Sequence, residues 1–422
     1  MNELSPPRLH PWAPELTGEA ATTPVAPASP PREPGLLDAL RLPLRLAARQ
    51  LRADRAKLAT AIAGVMFAAV LVFMQLGFRS ALFDSATALL SGMRADLFLI
   101  HPMTQASFRP EPLPRVRAWQ TLADADVAQA VPIYLAQATL RHPIEGTRRA
   151  VQLIGLDAAA GAVAFTGLAP LTEALTRPDS FAFDLRSRPE FGPLPALFAE
   201  RGPYEVQIGT RQLTLVGLIE IGPSFGADGN VVLSETNFRR VVARNPAATD
   251  LVALRLRPGA DVAATQARLR TLLPADALVL THAELVAGER AYWENSTPIG
   301  FIFVFGSIMG LVVGMVIVYQ ILFADIAGHL SEYATLKAMG YSNGYLSRVV
   351  MGAALILALI GFVPGLGVSW LLYDFVGGAT FLPLEMYPAR AGMVFALILG
   401  MCVIAGLLAM RKLRDANPAD MF

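Results

Sequence analysis

Apolar residues in this chain gather into four long runs, at residues 58–78, 298–322, 349–372 and 391–410. Each is long enough to cross a bilayer, which takes ~20 apolar residues. The chain therefore reads as a membrane protein with four transmembrane α-helices. A large polar segment, residues 79–297, separates the first two spans. The second and third spans are joined by residues 323–348, too charged to lie in lipid but helical in pattern. Leu330, Tyr333, Leu336 and Met339 recur at three-residue steps and share one side, with Glu332 and Lys337 off that stripe. Gly340 follows where a C-cap is expected. A small amphipathic helix held between two spans is placed to dock at the membrane surface.

The 79–297 segment shows strand patterns at 95–100, 129–140, 149–156, 205–208, 212–221, 230–233 and 251–257. Helices are predicted at 237–243, where Ser234 caps the start, and at 262–273. Residues 227–230 form a turn signal ahead of a strand. Interleaved strands and helices predict an α+β domain, or a pair of them, rather than a sandwich. Residues 283–297 are expected to carry the second span upward as a helical stalk.

Before the first span, residues 36–57 are amphipathic and basic. Arg41, Arg45, Arg49 and Arg52 make one cationic stripe, while Leu40, Leu44, Ala47, Ala48 and Leu51 occupy other faces. Such a helix suits the lipid interface, basic side toward anionic headgroups. Residues 1–35, rich in Pro, Ala, Ser and Thr, read as a disordered tail with no secretory signal. The first span is then the insertion signal. Its one strongly polar residue is Gln75. Gly361, Pro364, Gly365 and Gly367 predict a bend in the third span.

Orientation follows from the Lys/Arg bias at span ends. Arg41, Arg45, Arg49, Arg52, Arg55 and Lys57 precede the first span, and Arg411, Lys412 and Arg414 follow the fourth. Between spans three and four, residues 373–390 carry only Arg390. Both termini, including the tail 411–422, and the 323–348 loop are thus expected in the cytoplasm, with the α+β domain extracytoplasmic.

Composition narrows the function. Hydrophobic residues make up 54% and charged ones 16%, below the ~25% of soluble domains, which supports the membrane assignment. The net charge of +1 argues against a nucleic-acid binder. A single cysteine, Cys402, lies in an apolar run and allows no intrachain disulfide. No phosphate-cradling Gly-rich loop, nucleophile elbow or paired-His metal motif occurs, and the five His are scattered. His329 reads as a cytoplasmic-surface side chain. No catalytic, cofactor or metal site is predicted in this chain. In the second span Gly306, Gly310 and Gly314 recur at four-residue intervals, which predicts close packing of two helices within one subunit or between two.

Three runs carry a family resemblance: Tyr292-Trp-Glu-Asn-Ser-Thr-Pro-Ile-Gly-Phe-Ile-Phe303, Val318-Tyr-Gln-Ile-Leu-Phe-Ala-Asp325 and Glu332-Tyr-Ala-Thr-Leu-Lys-Ala-Met-Gly-Tyr341. With the Phe225-Gly-Ala-Asp-Gly-Asn230 turn, they resemble the DevC family, permease subunits of ABC exporters in the wider FtsX/MacB-like group. The likeness covers residues 36–422; Ser331 departs from it, since relatives often carry Pro there. The resemblance implies a separate ATPase subunit holding ATP and Mg beneath the membrane, and two copies of this chain above it. Leu330, Glu332, Tyr333, Leu336, Lys337 and Met339 would then be the ATPase-coupling helix. It further implies a periplasmic adaptor, an outer-membrane channel, an inner-membrane location and a lipophilic or glycolipid cargo. Alternatives are an FtsX-like regulator of a periplasmic enzyme, a Lol-type lipoprotein extraction subunit, or a membrane scaffold.

Overall fold

The computed structural model describes residues 45–49, 55–224, 226–329, 331–332, 335, 339 and 343–415, all within one unit, Pro43–Phe422. The predicted tail 1–35, most of the basic helix, and Leu330, Tyr333, Leu336, Lys337 and Gly340 lie outside the described residues. The α-helices with described bounds are α1 Arg55–Ser91, α2 Val116–Thr121, α3 Thr172–Thr176, α4 Leu194–Arg201, α5 Glu235–Val241, α6 Val262–Leu272, α7 His282–Asn295, α8 Pro298–Gly328, α9 Asn343–Thr380 and α10 Pro388–Asp415. Of these, α1, α8, α9 and α10 are long and apolar enough to span a membrane.

Helix α1 runs 37 residues, well past the end of its apolar run. At 1.5 Å per residue that is ~55 Å, against a hydrocarbon core of ~30 Å. Nothing breaks it after Phe78: no Pro intervenes, and the helix ends only before Gly92. The added turns bury Ala81, Phe83, Ala86, Leu89 and Leu90, so they belong to the domain above the spans.

The spans pack through small residues, as helices must where lipid is as apolar as the partner helix. A Cβ at Gly361 would come 2.5 Å from Val65 Cβ, and one at Gly365 2.9 Å from Ala69 Cβ. These glycines therefore let α9 approach α1. Helix α9 is continuous through Pro364, and Ser369 Oγ donates to the Gly365 carbonyl at 2.7 Å. Farther along, the Tyr373 hydroxyl donates to the Phe73 carbonyl, tying α9 to α1 again. Within residues 45–49, Arg45 and Arg49 are exposed while Ala47 is buried against the span core.

Between α1 and α8 lies a mixed α+β domain. Its nine-stranded sheet has the order β11-β1-β10-β3-β4-β8-β5-β7-β6. The strands are β1 Leu97–Ile100, β3 Val127–Arg141, β4 Arg148–Gly155, β5 Ser180–Asp184, β6 Tyr204–Ile208, β7 Arg211–Ile219, β8 Asn230–Leu233, β10 Leu251–Leu256 and β11 Leu278–Thr281. A two-stranded sheet joins β2 Leu113–Pro114 to β9 Ala248–Thr249.

The 15-residue β3 decides between one domain and two. Its first half pairs with β10 from Val127 to Ile133, and its second half with β4 from Tyr134 to Arg141. One strand thus serves two lobes. In the second lobe the ladder returns on itself where Leu140 pairs with Ile208, so six strands enclose Phe181, Phe183, Leu153, Val206 and Leu215. Each such side chain, fully buried, contributes ~1.5–3 kcal/mol.

Ser234 caps α5 by accepting from Asn237 N–H, as its sequence position predicts. Two strands of the nine-stranded sheet carried no pattern, and neither did β2 or β9. All five residues of β5 are buried, so alternation is absent, and β11 is four residues long and runs directly into a helix.

Candidate functional site

The spans meet the head domain where the upper part of α1 lies beside α7. Helix α7 is a stalk with a complete capping box: Thr281 and Glu284 bond each other's backbone N–H. It does not run unbroken into α8. Ser296 and Thr297 interrupt it, and Pro298 starts the span afresh with Thr297 as N-cap.

Arg79 on α1 pairs with Glu294 on α7, and Arg290 on α7 reaches Asp84 on α1 at 4.0 Å. Both guanidinium groups sit 5.5 Å from the ring centre of Phe83, which is buried with Ala86 and Trp293. The ion pairs are about a third to a half exposed, worth ~0–1 kcal/mol each. Their value is in orientation: two crossed pairs and a shared ring define one register between the helices. Higher up, His282 Nε2 donates to the Leu90 carbonyl at 2.9 Å, which binds the first turn of α7 to the last turn of α1.

Two connecting segments brace this joint. Residues 101–110 bring Phe108 to 5.3 Å from Trp293. There Glu289, 5% exposed, accepts from Ser107 N–H at 2.7 Å and from Trp293 Nε1–H at 3.0 Å. Burial pushes the Glu289 carboxyl above its ordinary value, against the opposing pull of hydrogen bonds from the Ser107 backbone, the Trp293 indole and the Ser107 side chain. The turn after β7 supplies the second brace: the Ser85 hydroxyl donates to the Pro223 carbonyl. That turn is held by Asp184, fully buried, which accepts from Ile221 N–H, Gly222 N–H and Asn230 Nδ2–H at 2.7–2.9 Å. Asn230 thus anchors the Gly-rich turn singled out in the sequence.

The glycine stripe of α8 faces α1 of the same chain. A Cβ at Gly306 would come 2.5 Å from Gln75 Nε2, one at Gly310 3.3 Å from Leu71 Cβ, and one at Gly314 2.5 Å from Ala68 Cβ. Gln75, the polar residue of the first span, therefore lies across Gly306.

At the opposite end, Ser331, Glu332 and Thr335 are helical. Met339 N–H donates to the Thr335 carbonyl at 3.0 Å, and Thr335 Oγ1 to the Ser331 carbonyl at 2.9 Å. Glu332 is exposed, and so is Met339, at 64%. Leu330, Tyr333, Leu336 and Lys337 of the predicted stripe lie outside the described residues. His329 is not a free surface side chain: it ends α8, with Nδ1 2.9 Å from the Asp325 carbonyl.

Sequence patterning did not single out Arg79, Phe83, Asp84, Glu289, Arg290 or Glu294. The available signal was weak: Arg79 and Asp84 directly follow an apolar run, where a charge ordinarily marks the end of a span.

A family model described as the MacB-like periplasmic core domain matches residues 58–272, and one described as the FtsX-like permease C-terminal matches residues 304–418. Similar solved structures include the periplasmic region of MacB from Actinobacillus actinomycetemcomitans, at 10% identity and TM-score 0.33, covering 49% of this chain and 97% of that one. Another is the extracellular domain of the noncanonic ABC-type transporter YknZ from Gram-positive bacteria, at 14% identity and TM-score 0.32, covering 44% and 99%. A third is a domain of a putative permease from Porphyromonas gingivalis, at 14% identity and TM-score 0.29, covering 44% and 87%. No curated protein matches the chain.

Proposed function

Since this chain belongs to the FtsX/MacB-like family of ABC permeases, we propose that it is the permease subunit of a DevC-type exporter and works by mechanotransmission. It is a multi-pass transmembrane subunit with an α+β head between its first two spans. In the proposed arrangement both termini and the 323–348 loop face the cytoplasm, where a separate ATPase binds ATP-Mg and hydrolyses it. Two copies of the chain stand above the ATPase, and the head meets a periplasmic adaptor. The cargo is lipophilic or a glycolipid. This chain supplies no chemistry; it moves.

The observation that supports this reading is the unbroken run of α1 from Arg55 to Ser91, locked to the stalk α7 by Arg79–Glu294 and Arg290–Asp84. A single helix of that length passes from the membrane into the head with no hinge along it, so displacement at its lower end is delivered above. The stalk, by contrast, is jointed at Ser296–Thr297, which lets α7 follow α1 while α8 stays in lipid.

Force enters this scheme at Leu330, Glu332, Tyr333, Leu336, Lys337 and Met339, the apolar members seated in a groove of the ATPase and the charged ones orienting it. The test is Leu336→Glu in the complex expressed with its neighbouring reading frames. Loss of ATPase co-purification is expected, at least ten-fold; unchanged assembly together with unchanged transport would remove the docking role.

A further inference from the structure

A cavity of about 260 Å³ opens in the head domain beside the joint, between the end of α1, the 101–110 segment, the sheet and α7. Its walls are mainly apolar, with Leu90, Leu135, Leu251 and Leu285 on four different elements. Three carboxylates also line it, and no Lys or Arg among the described residues does. Two of the three are matched by a cation behind them. Asp250 takes a bidentate pair from Arg244 at 2.6 and 2.7 Å, and Glu284 lies 3.6 Å from Arg270.

Glu289 is the exception. It is buried, and its two oxygens accept from neutral donors, the Ser107 N–H and side chain and the Trp293 indole N–H; it has no ion pair among the described residues. A buried carboxylate without a counter-charge is costly, and the space beside it is open.

Gly288 is a second, independent observation. It lies in the interior of α7 and lines the same cavity, yet a Cβ there would meet nothing within 4 Å. Glycine in a helix interior costs ~1 kcal/mol relative to alanine. Among the described residues, no close approach of backbone or side chain requires it. Gly288 is exposed where it lines the cavity, and its absent side chain leaves that opening clear next to Glu289.

We propose that this cavity binds a small lipophilic cation, a protonated amine on a short alkyl or single-ring body, with the ammonium at Glu289 and the apolar part against Leu90, Leu135 and Leu285. The volume is below the ~300–1,000 Å³ of drug-sized sites, so the ligand is fragment-sized and not a lipid chain. Such a ligand fills the wedge between α7 and the sheet. The inference stands apart from the export reading, because it concerns binding to the isolated chain.

The experiment is calorimetry on the full chain in nanodiscs, with empty nanodiscs subtracted, using 2-phenylethylamine and its neutral analogue 2-phenylethanol as probes at neutral pH. The amine is expected to bind saturably, one per chain, at least ten-fold more tightly than the alcohol. Glu289→Gln is expected to bring the two probes within about two-fold of each other. Gly288→Leu, which projects into open space and improves helix propensity, is expected to abolish binding of both while the thermal midpoint holds or rises. Equal affinity for amine and alcohol in the wild type, or amine binding that survives Gly288→Leu, would overturn the proposal.

Discussion

The first and second spans are both apolar enough to cross a membrane, yet the fold uses them in opposite ways. Helix α1 has 44% of its apolar window buried inside the chain, against 17% for α8. The buried side of α1 is built of small and medium residues, Ala61, Val65, Ala68, Ala69 and Val72, and helices α8 and α9 pack on it. Helix α8 turns its glycines toward α1 and its large residues away: Phe301, Phe305, Ile308 and Val312 are all more than 40% exposed. Within this chain α1 is an axis and α8 a flank. Residue size distinguishes the packed faces from the outward ones, because in lipid close packing takes over the role that water exclusion has elsewhere.

The largest effect is expected from filling the axis. Gly361→Leu would drive a side chain into Val65, where even a Cβ stands 2.5 Å away, and overpacking of this kind costs ~1–3 kcal/mol or more. A marked loss of folded protein in a detergent stability assay is expected; wild-type yield and midpoint would show that α9 does not pack as described.

Next comes the joint. Glu294→Arg places two cations together at Arg79 and Phe83, at a stability cost of ~1 kcal/mol. In the reconstituted complex it is expected to leave ATP turnover in place while transport falls. Parallel loss of both would mean that the α1–α7 register is not in the path of force.

A pH series sharpens the same point. The folded Glu289 carboxyl titrates above its ordinary 4.5, so its contribution to stability is present below that value and is lost as pH rises through the raised folded value. Relative to wild type, Glu289→Gln is therefore expected to become steadily more stable from about pH 4.5 upward, as read from paired thermal midpoints. A constant offset between the two would place the carboxyl in water.

The smallest effect belongs to the flank. Phe305→Ala removes an outward ring on α8 and is expected to change chain stability by less than ~0.5 kcal/mol. A drop in dimer population by light scattering, with stability intact, would identify this face as the contact with a second copy.

Much of the architecture was legible from patterning alone. The four apolar runs, the α+β composition of the intervening segment, the Ser234 cap and the glycine stripe are local features, set by period, capping chemistry and residue size. Strand β5 and the true length of α1 were not legible. The first has no alternation because both its faces are covered, and the second continues through charges that look like a membrane boundary.

The sequence by itself determined that this polypeptide crosses a membrane and carries a mixed head between its first two spans, since runs of apolar residues and strand or helix periods act over neighbours in the chain. Tertiary structure alone decided that Arg79 and Glu294, 215 positions apart, close one joint, that β3 is shared by two lobes, and that Glu289 has no counter-charge among the described residues beside open space. Each of those depends on which distant surfaces meet, and no local period encodes a meeting.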